Sequence, residues 1–167
     1  MYKTAQKRSV MKKIALFADV QNIYYTSRQA YGKQFNYRKL WQLIETQGEI
    51  VSAFAYAIDR GDSQQQKFQE VLRHLGFSVK LKPYIARSDG TAKGDWDVGI
   101  TIDIMEIAGQ VDTIILLSGD GDFAILLDRV KESYGVTTEA YGVPQLTAKA
   151  LIDSCSVFHP IDSELLL

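Results

Sequence analysis

The sequence predicts an α/β fold: a three-layer sandwich with a central, mainly parallel sheet of five or six strands. Three observations carry that expectation. Apolar runs alternate along the chain with segments of helical spacing. Four consecutive large aliphatics, Ile114-Ile115-Leu116-Leu117, read as a strand buried on both faces, as in a parallel sheet. Small and acidic residues follow two of the runs directly, at the strand ends where α/β folds place their chemistry.

The first strand is read at Ile14–Asp19. Tyr37, Leu40, Trp41 and Ile44 fall at i, i+3, i+4 and i+7 and mark an amphipathic helix. A strand is expected at Ile50–Ile58. Phe68, Val71, Leu72 and Leu75 repeat the helical spacing until Gly76 stops it. Phe77–Tyr84 reads as a strand. The polar segment Ala86–Gly94 reads as a loop that orders only with substrate. A helix from Asp95 to Ala108 is apolar on most sides and is expected to be deeply packed. A strand at Thr113–Leu117 follows. Phe123, Leu126, Leu127 and Val130 mark a helix capped by Gly135. Val136–Tyr141, Gln145–Asp153 and Ser156–His159 complete the alternation as strand, helix and strand. Such alternation implies right-handed crossovers with helices on both faces of the sheet.

The 167 residues suit one domain with a substantial core. It is expected over 13–160, with a basic arm at 1–12 and a tail at 161–167. A net charge of −1 excludes a uniformly basic nucleic-acid binder but leaves room for a local basic patch. The single cysteine, Cys155, provides neither an internal disulfide nor a zinc cluster, and reads as a small core residue. No apolar stretch approaches the roughly 20 residues of a membrane span. The apolar segment after Lys12-Lys13 is short and ends in Asp19, a poor signal peptide, so a cytoplasmic location is expected.

The chemistry is expected where the first strand delivers Asp19 and Asn22 and the strand at Thr113–Leu117 delivers Ser118-Gly119-Asp120-Gly121-Asp122. If these strands lie side by side they flank the topological switch point, and Asp19 faces Asp120 across the crevice. Asp97 adds a third acid from the start of its helix. Carboxylates are hard oxygen ligands suited to Mg²⁺ or Mn²⁺. Any one Asp is an ordinary turn or N-cap residue. Several converging in a low-dielectric cleft repel one another, and a bound divalent cation relieves that. No glycine-rich dinucleotide or P-loop pattern is present. A haloacid-dehalogenase phosphatase needs a general acid where this chain has Gln21, so that reading is disfavoured. Neither His74 nor His159 is assigned a catalytic role.

Three motifs in order carry a family resemblance: Phe17-Ala18-Asp19-Val20-Gln21-Asn22, Lys93-Gly94 through Asp97-Val98 to Asp103, and Ser118-Gly119-Asp120-Gly121-Asp122-Phe123. Together they resemble the NYN domain, a branch of the PIN-like metal-dependent ribonucleases, and the LabA-like group within it. The resemblance spans about Lys13 to Pro160. It implies a PIN-like fold in which Asp19, Asp97, Asp120 and Asp122 bind Mg²⁺ or Mn²⁺ beside Asn22. Lys93 and Asp103 match motif positions. Asp97 is favoured over Asp95 as the ligand, because Asp97 to Asp103 keeps the family spacing and Asp95 suits an N-cap.

The implied activity is hydrolysis of an RNA phosphodiester, the RNA expected to be single-stranded. Asp19, Asp97, Asp120, Asp122 and Asn22 would carry the reaction. Ser118, Lys93, Arg87 and Trp96 would contact substrate. Lys82, Arg60 and Arg28 are further rim candidates for phosphates, and Tyr24 and Tyr25 for stacking on bases. The alternatives are a non-catalytic RNA-binding or regulatory module of the same fold, and a metal-dependent phosphatase or nucleotidase. A homodimer is compatible with so small a domain.

Overall fold

Strand β1 (Lys13–Asp19) lies at the centre of a six-stranded parallel sheet in a computed structural model that describes residues 11–83, 85–86, 92–93 and 95–167. In chain order there follow α1 (Val20–Tyr31), α2 (Tyr37–Glu45), β2 (Glu49–Asp59), α3 (Ser63–Leu75) and β3 (Ser78–Pro83). Next come a two-stranded hairpin, β4 (Ile85–Ala86) and β5 (Ala92–Lys93), and then α4 (Asp97–Ile107). The chain ends with β6 (Thr113–Leu117), α5 (Ala124–Tyr134), β7 (Thr137–Gly142), α6 (Lys149–Ser154) and β8 (Val157–Pro160).

The strand order is β3-β2-β1-β6-β7-β8, and every neighbouring pair in this sheet is parallel. The chain winds outward from β1 in one direction and from β6 in the other. The switch point therefore falls between β1 and β6, which pair from Ile14↔Thr113 to Ala18↔Leu117.

Two cores confirm the three layers. Ile14, Leu16 and Ala18 face one side with Ile115 and Leu117, against Ile23, Leu40, Ile44 and Leu72 of α1, α2 and α3. Ala15 and Phe17 face the other side with Ile114 and Leu116, against Ile100, Ile104, Leu127 and Leu151 of α4, α5 and α6. The period-2 alternation of a strand explains the division. It also explains why β1 and β6 read as continuous apolar runs, since both of their faces are covered. Each fully buried Leu or Ile contributes on the order of 1.5–3 kcal/mol.

Several expectations need correction. Apolar spacing does not announce α1. Its buried positions, Val20, Ile23 and Ser27, keep a helical period, but Ser27 breaks the apolar pattern. Helix α4 is not buried all round. Ile100 and Ile104 are buried, whereas Val98 is 70% exposed and Ile102 51%. One helix laid on a sheet covers only one stripe, so the opposite stripe faces outward whatever its residues. The Gln145–Asp153 helix is a single 3₁₀ turn at Pro144–Leu146 followed by α6. The tail at 161–167 packs against the domain. Ile161 and Leu165 are buried, the Asn36 amide donates to Leu165 O at 2.7 Å, and Leu166 bridges to Phe35. The expected Ala86–Gly94 loop carries a two-residue antiparallel ladder, Ile85↔Lys93 and Ala86↔Ala92. Its ordering with substrate concerns residues 87–91 and 94, which lie outside the described residues.

Candidate metal centre at the switch point

Asp19 is both the last residue of β1 and the N-cap of α1. One carboxylate oxygen accepts the Asn22 N–H at 3.4 Å, and the other accepts the Ser118 hydroxyl at 3.3 Å. The side chain is 8% exposed. Burial pushes its carboxyl up to about 6, against the opposing pull of those two hydrogen bonds.

Ser118 is wholly buried and links two acids. While its hydroxyl donates to Asp19, its oxygen accepts the Asp120 N–H at 3.2 Å. The Gly119 N–H donates to Asn22 Oδ1 at 2.9 Å. Asp120 then caps the 3₁₀ turn Gly121–Phe123 by accepting the Asp122 N–H at 2.9 Å. Glycine is needed at 119, because a Cβ there would lie 2.8 Å from the Leu146 carbonyl oxygen and 3.1 Å from the Thr147 Cα. The Ala148 N–H donates to Gly119 O at 3.0 Å and secures the turn from that side.

Asp97 opens α4, and its N–H donates to Asp95 Oδ1 at 3.2 Å. Asp95 thus supports the helix start as expected, although the formal N-cap is Trp96. One carboxylate oxygen from each of Asp97, Asp120 and Asp122 lies within 4.8 Å of the others. Burial, then the charges of Asp120 and Asp95, push the Asp97 carboxyl up to about 7. Asp120 and Asp122 share one turn, and Asp97 reaches them from a second segment, the start of α4. Such a donor set, hard and mutually repelling, fits a divalent cation with open positions for water or phosphate.

Asp19, expected as a fourth ligand, stands outside this trio. It is more buried than they are, and its charge acts on Asp97. Asn22 spends its amide oxygen on Gly119. Trp96 is engaged in the fold: its indole N–H donates to Ala57 O at 2.9 Å and its ring lies 5.3 Å from that of Tyr56. Gly99 permits that placement, since a Cβ there would lie 2.6 Å from the indole. Lys82 donates to Asp95 O at 2.9 Å and lies 4.5 Å over the Trp96 ring. Arg28 lies 5.7 Å over the Tyr24 ring. The side chain of Lys93 and all of Arg87 lie outside the described residues.

Sequence reasoning left Asp103 without a role. Its Oδ2 accepts both the Tyr56 hydroxyl at 2.7 Å and Lys80 Nζ at 2.6 Å, fastening α4 to β2 and β3. An i, i+6 separation along a helix, about 9 Å of rise, carries it away from Asp97. His159 pairs with Glu139 at 2.6 Å on the far strands.

A doubly wound parallel sheet with an acidic cluster at its switch point fits a PIN-like domain of the nuclease superfamily, and the family match places the chain there. The NYN domain family matches residues 13–162, and the chain belongs to that family. It is 33% identical over 132 residues to the Low amplitude and bright protein LabA of Synechococcus elongatus, covering 73% of this chain and 70% of LabA. A crystal structure of a Vibrio parahaemolyticus protein of unknown function is 52% identical and superposes with a TM-score of 0.89, over 94% of this chain and 97% of that one. Among the described residues, no helix is long and apolar enough to cross a membrane.

Proposed function

We propose that this NYN domain is a Mg²⁺- or Mn²⁺-dependent ribonuclease acting on single-stranded RNA. The gathering of Asp97, Asp120 and Asp122 within 4.8 Å carries the reading. It brings negative charge together in a way that costs the fold energy unless a cation is held there.

In this reading Asp97, Asp120 and Asp122 hold the ion, and Asp19 adds its charge to theirs. When bound, the ion would polarise the phosphate, lower the pKa of water and stabilise the leaving oxygen. The protein's own contribution is placement. Ser118 fixes Asp19 against the Asp120 backbone. Asn22 fixes the Gly119 turn and so aims Asp120. Asp122, the most exposed of the three, is suited to orienting the attacking water. Lys93 and Arg87 would meet flanking phosphates. Trp96 would act by holding the start of α4, with Ala57 as its anchor. A site in the cytoplasm, where RNA is available, accords with the reading.

The test is cleavage of end-labelled single-stranded RNA with Mn²⁺ or Mg²⁺, with EDTA and Asp120→Asn as paired controls. Products that vanish in both controls are expected. RNA that is bound but never cleaved would replace this reading with a non-catalytic RNA-binding module.

A further inference from the structure

One strand along the same carboxyl edge, a cavity of about 340 Å³ opens between the start of α1, the end of β2 and the start of α3. Val20 and Gln21, the two residues between Asp19 and Asn22, form its near wall. Asp19 itself pairs in register with Tyr56, one residue before the Ala57 that lines the cavity. The cavity is therefore a direct neighbour of the acidic cluster and not a remote cleft. Its volume falls at the small end of the about 300–1,000 Å³ typical of small-molecule sites.

Gln69 singles the cavity out. It is only 5% exposed, yet it lines this space, and its amide has no hydrogen-bond partner among the described residues. The amide is open to solvent through the cavity, so its donor and acceptor are free to exchange water for the donors and acceptors of a ligand. Gln65 stands one helical turn before it. Its Oε1 accepts the Arg60 N–H at 3.1 Å, which leaves its amide NH₂ available to the cavity. Phe68 adds an apolar ring. At the mouth, Tyr24 and Tyr25 are 46% and 49% exposed and meet edge to face at 5.4 Å. The Arg60 guanidinium donates to the Tyr25 hydroxyl at 3.4 Å.

This lining selects among ligands. A phosphate would find one guanidinium in a lining that also carries the Asp62 carboxylate, which already accepts the Gln65 N–H at 2.7 Å. Neutral amides that carry a donor beside an acceptor match the edge of a nucleobase. Exposed aromatic rings match its face. We infer that this cavity takes one unpaired base of the RNA, that of a nucleotide flanking the phosphate held at the aspartates. The inference rests on the ribonuclease reading, because that reading supplies the polymer to which the base belongs.

The test uses the full chain with single-stranded RNAs in which one nucleotide at a time, around the cleavage site, is made abasic. Binding is measured in EDTA and cleavage in Mn²⁺. At one position, loss of the base should weaken binding and slow cleavage about tenfold, the scale of one stacked base. Gln69→Leu and Tyr25→Ala should each lose affinity on the intact RNA and lose nothing further on that abasic RNA. Tyr25 is exposed, so its variant keeps the test decisive if Gln69→Leu fails to fold. Cleavage that is indifferent to every abasic position, or losses that multiply between variant and abasic RNA, would overturn the base site alone. Failure of the unmodified protein either to bind or to cleave any RNA would overturn the ribonuclease reading and this inference with it.

Discussion

The Gly119 N–H donates to Asn22 Oδ1 at 2.9 Å, across the seam between the two central strands. Ninety-seven residues separate the partners. This bond, with the Ser118 bridge to Asp19, ties the end of β1 to the turn that carries Asp120. Asn22→Ala leaves the Gly119 amide without its acceptor and should cost about 1–3 kcal/mol of stability. As a positioning residue, Asn22 should also raise the Mn²⁺ concentration needed for half-maximal cleavage, measured where the variant is fully folded. A lower melting temperature with an unchanged Mn²⁺ dependence would reduce Asn22 to a structural role.

The raised carboxyls set a pH dependence for the metal-free protein. Asp19 at about 6 and Asp97 at about 7 both lie above their ordinary value of 3.8. Between those limits the folded state binds more protons than the unfolded chain, so stability falls as pH rises. The penalty begins near pH 4 and is complete above about pH 7. For Asp19 it amounts to about 3 kcal/mol at neutral pH. In EDTA, the melting temperature should therefore be higher at pH 5 than at pH 8. With saturating Mn²⁺ the decline should shrink or reverse, since the ion binds the ionised carboxylates. Equal melting temperatures at the two pH values in EDTA would contradict the burial assigned to these acids.

Removing one charge from the trio should separate stability from activity. Asp97→Asn and Asp120→Asn each relieve carboxylate repulsion, so in EDTA either variant should melt at or above the wild-type temperature. Added Mn²⁺ should raise the wild-type melting temperature by mass action and leave both variants nearly unmoved. Cleavage should be lost in both. Variants that keep full cleavage would reject the assignment of the ligands.

Gly119→Ala tests the turn. Its Cβ would press on backbone atoms of Leu146 and Thr147, which cannot swing aside as a flexible side chain could. We expect a loss of about 1–3 kcal/mol and a fall in cleavage from the displaced Asp120. A well-folded variant with unchanged cleavage would show that the segment following β7 yields freely.

Asp103→Ala is the contrasting case. It strands the buried Tyr56 hydroxyl and frees Lys80, and should cost about 1–3 kcal/mol in chemical denaturation. Cleavage per folded molecule should be retained, since Asp103 lies outside the metal trio. Complete loss of cleavage in a folded Asp103→Ala protein would move this acid into the site.

Much of the fold was legible because burial on two faces leaves unbroken apolar runs. Ile114–Leu117 announced a strand covered on both faces and Ile14–Phe17 a first strand, each with an acidic end; that the two pair, and so flank the switch point, is a finding of the structure. The outward stripe of α4 was not legible, because Val98 and Ile102 carry the same apolar chemistry as the buried Ile100 and Ile104. Helix α1 was obscured for the opposite reason, a buried Ser27 in place of an aliphatic.

The sequence by itself determined the layered α/β architecture, the family, and the set of acids from which the cluster is drawn. These follow from periodicity and local chemistry, which each segment carries alone. Only the tertiary structure decided which acids meet. It joined Asp97, Asp120 and Asp122, set Asp19 against Ser118, and fastened Asp103 and Trp96 to the scaffold. Distances between residues tens of positions apart depend on strand register and helix placement, and no local pattern encodes them. The place of Gln69 is of the same kind, since a glutamine on α3 becomes part of a cavity only when β2 and α1 close around it.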